Sequence, residues 1–200
     1  DQFPEDHIVR MCVTINAKHT RRISSHLVSL SGRQLYRDDS LAVAHDIVRA
    51  LNERDDSPLY MDIKLLGVGR GHVAQAPLAQ ELKRLFQTDA FGGARKTQDF
   101  QEDAKRFFVN YFKQIALVFG AAWGGRKYSI KSSTALRAFV RVAPDVVRRL
   151  DEEHADRADF RAIGRVISPW GRRVGDLRFE TEGAWSKNTS VDILTKELRL

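Results

Sequence analysis

Apolar residues recur at helical spacing along most of the chain. The stretch LAVAHDIVRALNER places Leu41, Ala44, Ile47, Val48 and Leu51 on one face, which predicts an amphipathic helix with a cap at Asp38, Asp39 or Ser40. The longest helix is predicted over 98–119, with acidic residues in its first turns. Its largely aromatic stripe indicates core packing and consists of Phe100, Phe107, Phe108, Tyr111, Phe112, Ile115 and Phe119.

Four further helices follow from the pattern. One begins at Pro77 and runs through LAQELKRLF. Another is capped by Ser132 or Ser133 and is interrupted or restarted at Pro144. A shorter helix ends at Pro169, and the last ten residues form a terminal helix.

The remaining segments are less helical. Residues 5–15 read as a short helix or a buried strand, and a short helix capped by Ser24 or Ser25 precedes Gly32. Residues 59–68 alternate loosely, as a strand or extended segment does. Loops are predicted at 67–77, 88–97 and 120–127, and a glycine-punctuated connection at 171–190. The pattern predicts a mostly α fold, α+β with a minor sheet, in one mainly helical domain over 1–200.

Composition restricts the class of protein. The chain has 200 residues and is 42% hydrophobic, enough to bury a core. No apolar run approaches the length of a membrane span, and the acidic start DQFPEDH does not resemble a signal peptide. Cys12 is the only cysteine, so no internal disulfide or thiolate zinc cluster is available. We therefore expect a cytoplasmic protein without a membrane partner.

Charge points to a polyanionic partner. The net charge is +7 and the pI about 9.7, with more arginine than lysine. Arginine makes forked contacts to phosphate, so this bias favours nucleic acid over a simple effect on solubility.

A catalytic or metal site is not evident in the sequence. The segment GVGRGH lacks the ending of a Walker motif and the spacing of a dinucleotide fingerprint. Its glycines either permit a tight turn or, with Arg70 and His72, contact a phosphate. The six histidines are scattered without metal-ligand spacing, and no nucleophile motif occurs.

Basic residues recur near turns and beside aromatic residues. Trp123, Tyr128, Trp170 and Trp185 neighbour these clusters. Such loops either bind a nucleic-acid backbone or single strand, or simply surround a core. The basic positions are Lys18, Arg21 and Arg22, then Arg70 and His72, then Arg126 and Lys127, then Arg172 and Arg173, with Arg137, Arg141 and Arg148 near one face of the 133–150 helix.

The segment INAKHTRRISSHLVSL combines a basic turn with the start of a helix. Lys18, His19, Arg21 and Arg22 occur with no acidic residue among them, and Ser24 or Ser25 begins the helix. It is an anion-binding turn, a catalytic corner or a solvated loop. Because free amides at a helix start favour an anion, we expect a phosphate-facing corner.

The order of landmarks resembles the C-terminal part of the DGQHR-domain family, whose members include DndB-like proteins of bacterial DNA phosphorothioation systems. The stretches that carry the resemblance are VTINAKHTRRISSHLVSL, AHDIVRALNERDDSPLYMDIKLLGVGRGHVAQAPLAQELKRLF, NYFKQIALVFGAAW and SIKSSTALRAFVRVAPDVV. Within them, Ile15-Asn16, the segment from Asp56 to Tyr60, and Tyr111-Phe112 followed by Trp123 match family landmarks. The similarity covers residues 8–147, and 148–200 form a C-terminal extension.

The motif that names the family, Asp-Gly-Gln-His-Arg, is not in these 200 residues. The resemblance implies that it lies upstream, in a ParB-like part, and that this chain is the helical half of a larger protein. Nucleotide use would then require the upstream part.

We therefore expect a DNA-associated binding or regulatory module of a bacterial DNA-modification or phage-defence system. The alternatives are the helical part of an NTPase or nuclease effector, and a basic protein-interaction domain. DNA is the expected partner, together with a second copy or other defence proteins, and no metal or cofactor is expected. The residues predicted to face phosphate are Asn16, Lys18, His19, Arg21, Arg22, Arg70, His72, Arg126 and Lys127.

Overall fold

The computed structural model describes residues 39–65, 71–88, 91 and 98–200. Over these residues the fold is mostly α with one small sheet, as the sequence predicts. In chain order the elements are α1 (Asp39–Glu53), β1 (Ile63–Lys64), β2 (Val73–Ala74), α2 (Gln75–Phe86), α3 (Gln98–Val118), α4 (Gly120–Gly124), α5 (Ser133–Glu152), α6 (Phe160–Ile167), α7 (Trp170–Arg173), a 3-10 turn (Asp176–Phe179), α8 (Ala184–Lys187) and α9 (Val191–Leu198).

The aromatic stripe of α3 forms the centre of the core, as predicted. Phe107, Phe108 and Phe112 are fully buried, and Phe107 stacks on Tyr111 with ring centroids 5.4 Å apart. The hydroxyl of Tyr111 donates to the carbonyl of Phe139 in α5 at 2.9 Å, which satisfies its polar group inside the core. Each such side chain contributes about 1.5–3 kcal/mol by its removal from water, so burial of these rings stabilises the core around α3.

Helix α5 is continuous, which corrects the predicted interruption at Pro144. It begins at the predicted cap, where the Ser132 hydroxyl accepts from the Ala135 amide at 3.3 Å. Pro144 lies inside the helix and removes one backbone donor. The buried side chains on either side of it, Val142 and Val146, keep the helix packed against the core despite that loss.

The predicted extended segment becomes a two-residue strand. β1 pairs with β2 in parallel, with Ile63 opposite Val73 and Lys64 opposite Ala74. Gly71 makes this close approach feasible, because a Cβ there would lie 2.2 Å from the carbonyl oxygen of Asp62. β2 falls inside the segment predicted to be a loop, and α2 begins two residues before Pro77.

Two segments predicted as loops are largely helical. The segment at 120–127 begins with α4, and the predicted connection at 171–190 contains the end of α7, the 3-10 turn and α8. Trp170 and Phe179 are fully buried, and their rings contact Phe139. Burial of Phe179, and of Trp170 immediately before the connection, folds the connection onto the core, although its local sequence is rich in glycine.

The buried apolar residues form one cluster, which extends from Val43 in α1 to Leu198 in α9. Helix α9 begins at the Ser190 cap and packs on α5. It is the terminal helix that the sequence predicts. Within the part of the chain that the structure describes, no helix has the length and apolar composition needed to cross a membrane. The predicted elements at 5–15 and 24–31 lie outside the described residues.

Candidate functional site

Three of the residues predicted to face phosphate lie in described segments: His72, Arg126 and Lys127. His72 and Arg126 line the same groove, whereas Lys127 follows Arg126 and lies outside its lining. The remaining predicted residues are outside the described segments: Asn16, Lys18, His19, Arg21, Arg22 and Arg70.

The groove lies between the small sheet and the segment that joins α4 to α5. It has a volume of about 560 Å³ and is open to solvent. One wall comes from the sheet, through Asp62 and His72, and the opposite wall from α4 and the turn after it. Its lining consists of Asp62, His72, Ala122, Trp123, Gly124, Gly125, Arg126, Tyr128, Lys131 and Ser132.

Asp62 links the two walls. One carboxylate oxygen accepts from the backbone amide of His72 at 3.1 Å and lies 3.2 Å from Nδ1 of its ring. The other oxygen accepts from Nζ of Lys131 at 3.1 Å. Burial acts to raise the pKa of Asp62, but the hydrogen bonds from Lys131 and His72 outweigh it, and the pKa lies below its ordinary value. Asp62 is therefore a charged residue that is hydrogen-bonded to both walls of the groove, and its negative charge is locally neutralised.

The backbone around Asp62 explains its position. Met61 has a φ of 55°, a left-handed conformation that turns the chain just before β1. The amide of Val73 donates to the Asp62 carbonyl at 2.9 Å, and the Ile63 amide donates to Oδ1 of Asn52 at 2.9 Å. The first bond joins the turn to β2, and the second anchors it to α1.

Two aromatic side chains line the opposite wall. Trp123 is half-buried, and its indole N–H donates to the carbonyl of Pro58 at 3.3 Å. Nζ of Lys131 lies 5.5 Å from the Trp123 ring centre, within the range of a cation–π contact. Tyr128 packs against Gly125, where an added Cβ would lie 2.6 Å from the tyrosine ring. The glycine therefore leaves room for the ring beside the turn.

The basic residues at the groove differ in their partners. Arg126 is exposed and makes no hydrogen bond or ion pair with any residue that the structure describes. Lys127 donates to Glu180 at 2.8 Å, and this hydrogen bond raises the pKa of the lysine. His72 is 88% exposed at its side chain, so its ring projects into solvent at the groove. Arg126 and His72 are thus the accessible nitrogen groups of the groove.

The start of α5 adds to the positive character of the groove. Ser132, the cap of this 20-residue helix, belongs to the lining. The N-terminal end of a helix carries partial positive charge, which favours a nearby anion. The groove therefore combines an accessible guanidinium, an exposed imidazole, a helix start and aromatic surface.

The arginines predicted to lie on one face of the 133–150 helix serve a different purpose. Nε of Arg137 donates to Oε2 of Glu81 at 2.9 Å, and Arg141 binds both Glu81 and Asp192. Glu81 is buried, with 4% of its side chain exposed. Arg148 pairs with Asp145 and Glu152 on the same helix. These acidic partners engage the arginines that a backbone-tracking face would need, which argues against that use of the face.

Two groove residues were missed by the sequence interpretation, Asp62 and Lys131. Asp62 interrupts an apolar extended segment, and this acidic residue could have been recognised in the sequence as a polar group at the start of a strand. Lys131 lies 69 positions away in the chain, and only the tertiary fold brings it to Asp62.

Residues with metal-ligand chemistry do not converge in the described segments. There, no group of three histidine, cysteine or acidic residues has a geometry that could hold a metal ion. Comparison of the chain with protein-family models, curated proteins and solved structures finds no match.

Proposed function

We propose that this chain is a DNA-associated binding or regulatory module of a bacterial DNA-modification or phage-defence system, acting in the cytoplasm without a bound metal or cofactor. The groove of Asp62, Trp123 and Arg126 is its contact with the nucleic-acid backbone. The observation that carries this proposal is Arg126, an exposed guanidinium without a partner in the described residues, beside two aromatic rings in a 560 Å³ groove.

The chemistry of the groove favours phosphate over other anions. A guanidinium offers a planar fork of donors that matches two phosphate oxygens, and a helix start adds amide dipoles. Lys131 already neutralises the carboxylate of the groove, so Asp62 does not repel an arriving anion as an unpaired acid would. The net charge of +7 and the resemblance to DGQHR-domain proteins both support a DNA partner.

Charge reversal of Arg126 tests the proposal. We expect Arg126→Glu to weaken DNA binding and to make the logarithm of affinity fall less steeply with the logarithm of salt concentration, by about one unit of slope. The matched control is Arg161→Glu, which makes the same charge change at an exposed arginine in α6 outside the groove. Fluorescence anisotropy across a salt titration measures both.

A second pair of variants adds a negative charge without removing a contact, inside the groove at Gly124 and outside it at Gly120. Gly124 and Gly120 both lie in α4, and a Cβ at either meets no atom within 4 Å. Gly124 lines the groove and Gly120 does not. We expect Gly124→Asp to weaken binding more than Gly120→Asp. The proposal would be contradicted if the two variants of each matched pair changed DNA affinity equally. It would also be contradicted if heparin bound as tightly as DNA and Arg126→Glu changed neither affinity.

A further inference from the structure

We infer that the groove binds an unpaired nucleotide of a single strand, with its base against Trp123 and Tyr128 and its phosphate near Arg126 and His72. This inference rests on the proposed function and adds its substrate class: single-stranded nucleic acid in preference to duplex.

The aromatic wall distinguishes the two forms of nucleic acid. In a duplex the faces of the bases are stacked on each other, so aromatic side chains at a protein surface cannot reach them. In a single strand each base has a free face that can stack on an aromatic ring. Trp123 and Tyr128 both line the groove and are partly exposed, and Nζ of Lys131 and Nζ of Lys127 lie 5.5 and 5.2 Å from their respective ring centres, so an unpaired base would contact the ring surface beside these two ammonium groups.

The size of the groove fits one nucleotide unit. Pockets that enclose a small ligand have volumes of about 300–1,000 Å³, and this groove has about 560 Å³. The groove is open to solvent, so a strand can reach it.

The positions of the cations fit a base with its own phosphate. Nζ of Lys131 lies over the Trp123 ring and holds Asp62, and the accessible nitrogens of Arg126 and His72 lie in the same lining. Arg126 follows Trp123 by three residues and precedes Tyr128 by two. One short segment therefore supplies both the contact with the phosphate and the contact with the base. The combination of a cation and a stacking ring is what sequence-tolerant strand binding requires.

The experiment compares single strand and duplex on the full chain. The probes are a labelled oligothymidylate of about 12 nucleotides, which spans a typical site, the corresponding oligouridylate, and a DNA duplex of equal length. We expect the single strand to bind more tightly. Trp123→Leu should weaken binding to the single strand by about tenfold and leave duplex binding unchanged.

The matched control is Trp185→Leu, which also removes a half-buried tryptophan next to the core, here packed on Phe179. It should leave both affinities unchanged. If oligouridylate alone binds, the single strand is RNA, and the DNA assignment of the proposed function is wrong while the groove inference holds.

Gly124→Leu provides a test that leaves every native side chain of the groove in place. The added side chain starts in open space and fills part of the groove, and Gly120→Leu makes the same change on the same helix outside it. We expect single-strand binding to fall only for Gly124→Leu, with equal thermal unfolding midpoints for the two variants.

The outcomes distinguish a failure of the single-strand inference from a failure of the proposed function. Equal binding of duplex and single strand, with losses from Arg126→Glu but none from Trp123→Leu or Gly124→Leu, overturns this inference and leaves the proposed function intact. No response to any of the three overturns both.

Discussion

Two clusters of basic residues in this chain look similar in sequence and differ in structure. In the Glu81 cluster, Arg137 and Arg141 surround one buried carboxylate between α2 and α5. In the groove, Asp62 engages Lys131 and His72, and Arg126 keeps its guanidinium exposed. The first cluster joins helices and the second leaves donors for a ligand. A basic residue is informative about binding only once its acidic partners are known.

The Glu81 cluster should respond most strongly to mutation, through stability. Glu81→Ala leaves two arginines whose side chains are about 30% exposed: Arg137 loses its carboxylate, and Arg141 retains only its pair with Asp192. We expect a loss of about 3 kcal/mol in the free energy of unfolding, at the lower end of the range for breaking a buried ion pair because the arginines remain partly solvated. Chemical denaturation measures it.

The control for Glu81→Ala is Glu53→Ala, which breaks an exposed pair with Arg49 on α1. Such pairs contribute about 0.5 kcal/mol or less. A Glu81 variant no less stable than the Glu53 variant would show that the cluster is not structural.

The groove should be sensitive to Gly71, whose added Cβ would meet the Asp62 backbone. We expect Gly71→Ala to cost about 2 kcal/mol of stability and to weaken nucleic-acid binding, because β2 must move away from Asp62. Gly120→Ala, at an open position of α4, should not lower stability. Unchanged stability and binding in Gly71→Ala would refute the close approach of the two strands.

Acid should reduce the contribution of the Glu81 cluster. Burial acts to raise the pKa of Glu81, but the hydrogen bonds from Arg141 and Arg137 outweigh it, so the folded-state pKa lies below the ordinary 4.5. A lowered pKa stabilises the protein above the unfolded-state value, and this contribution is lost as the pH falls through the folded-state pKa.

The difference in unfolding free energy between wild type and Glu81→Gln should therefore shrink as the pH falls below about 4.5. Denaturant titrations at several pH values test this. A difference that is constant from neutral pH downwards, or that grows in acid, would contradict the assigned pairing.

The smallest effect is expected next to the groove, where Glu180 binds Lys127. Glu180→Gln removes this acid and frees the lysine, so affinity for nucleic acid should rise by about two- to fivefold at low salt and by less at high salt. Glu182→Gln removes an exposed acid two residues away and is the matched control. A decrease in affinity for Glu180→Gln alone would show that Lys127 needs Glu180 to bind.

The periodicity of apolar residues predicted the long helices, but it failed where tertiary contacts determine the local structure. The stripe from Phe107 to Ile115 and the cap at Ser132 specify α3 and α5 locally, and the terminal helix was predicted without its Ser190 cap. By contrast, the folded connection depends on the burial of Trp170 and Phe179, which its glycine-rich sequence does not indicate.

The candidate site was predictable only in part. The sequence identified His72 and Arg126 as basic residues near turns, and the fold brings them into one groove. It also grouped Arg137 with the candidate binding residues, because Glu81 lies 56 positions away and pairing over that distance is invisible in a linear pattern. The same limitation concealed the link between Asp62 and Lys131.

Photochemical crosslinking of a bromouracil-containing single strand, with mapping of the modified peptides, tests the central claim most directly. If the groove is the binding surface, adducts should form on the peptide that contains Trp123 and Tyr128 and should be lost in Gly124→Leu. Adducts at the Arg137 and Arg141 face with none in the groove would contradict the account.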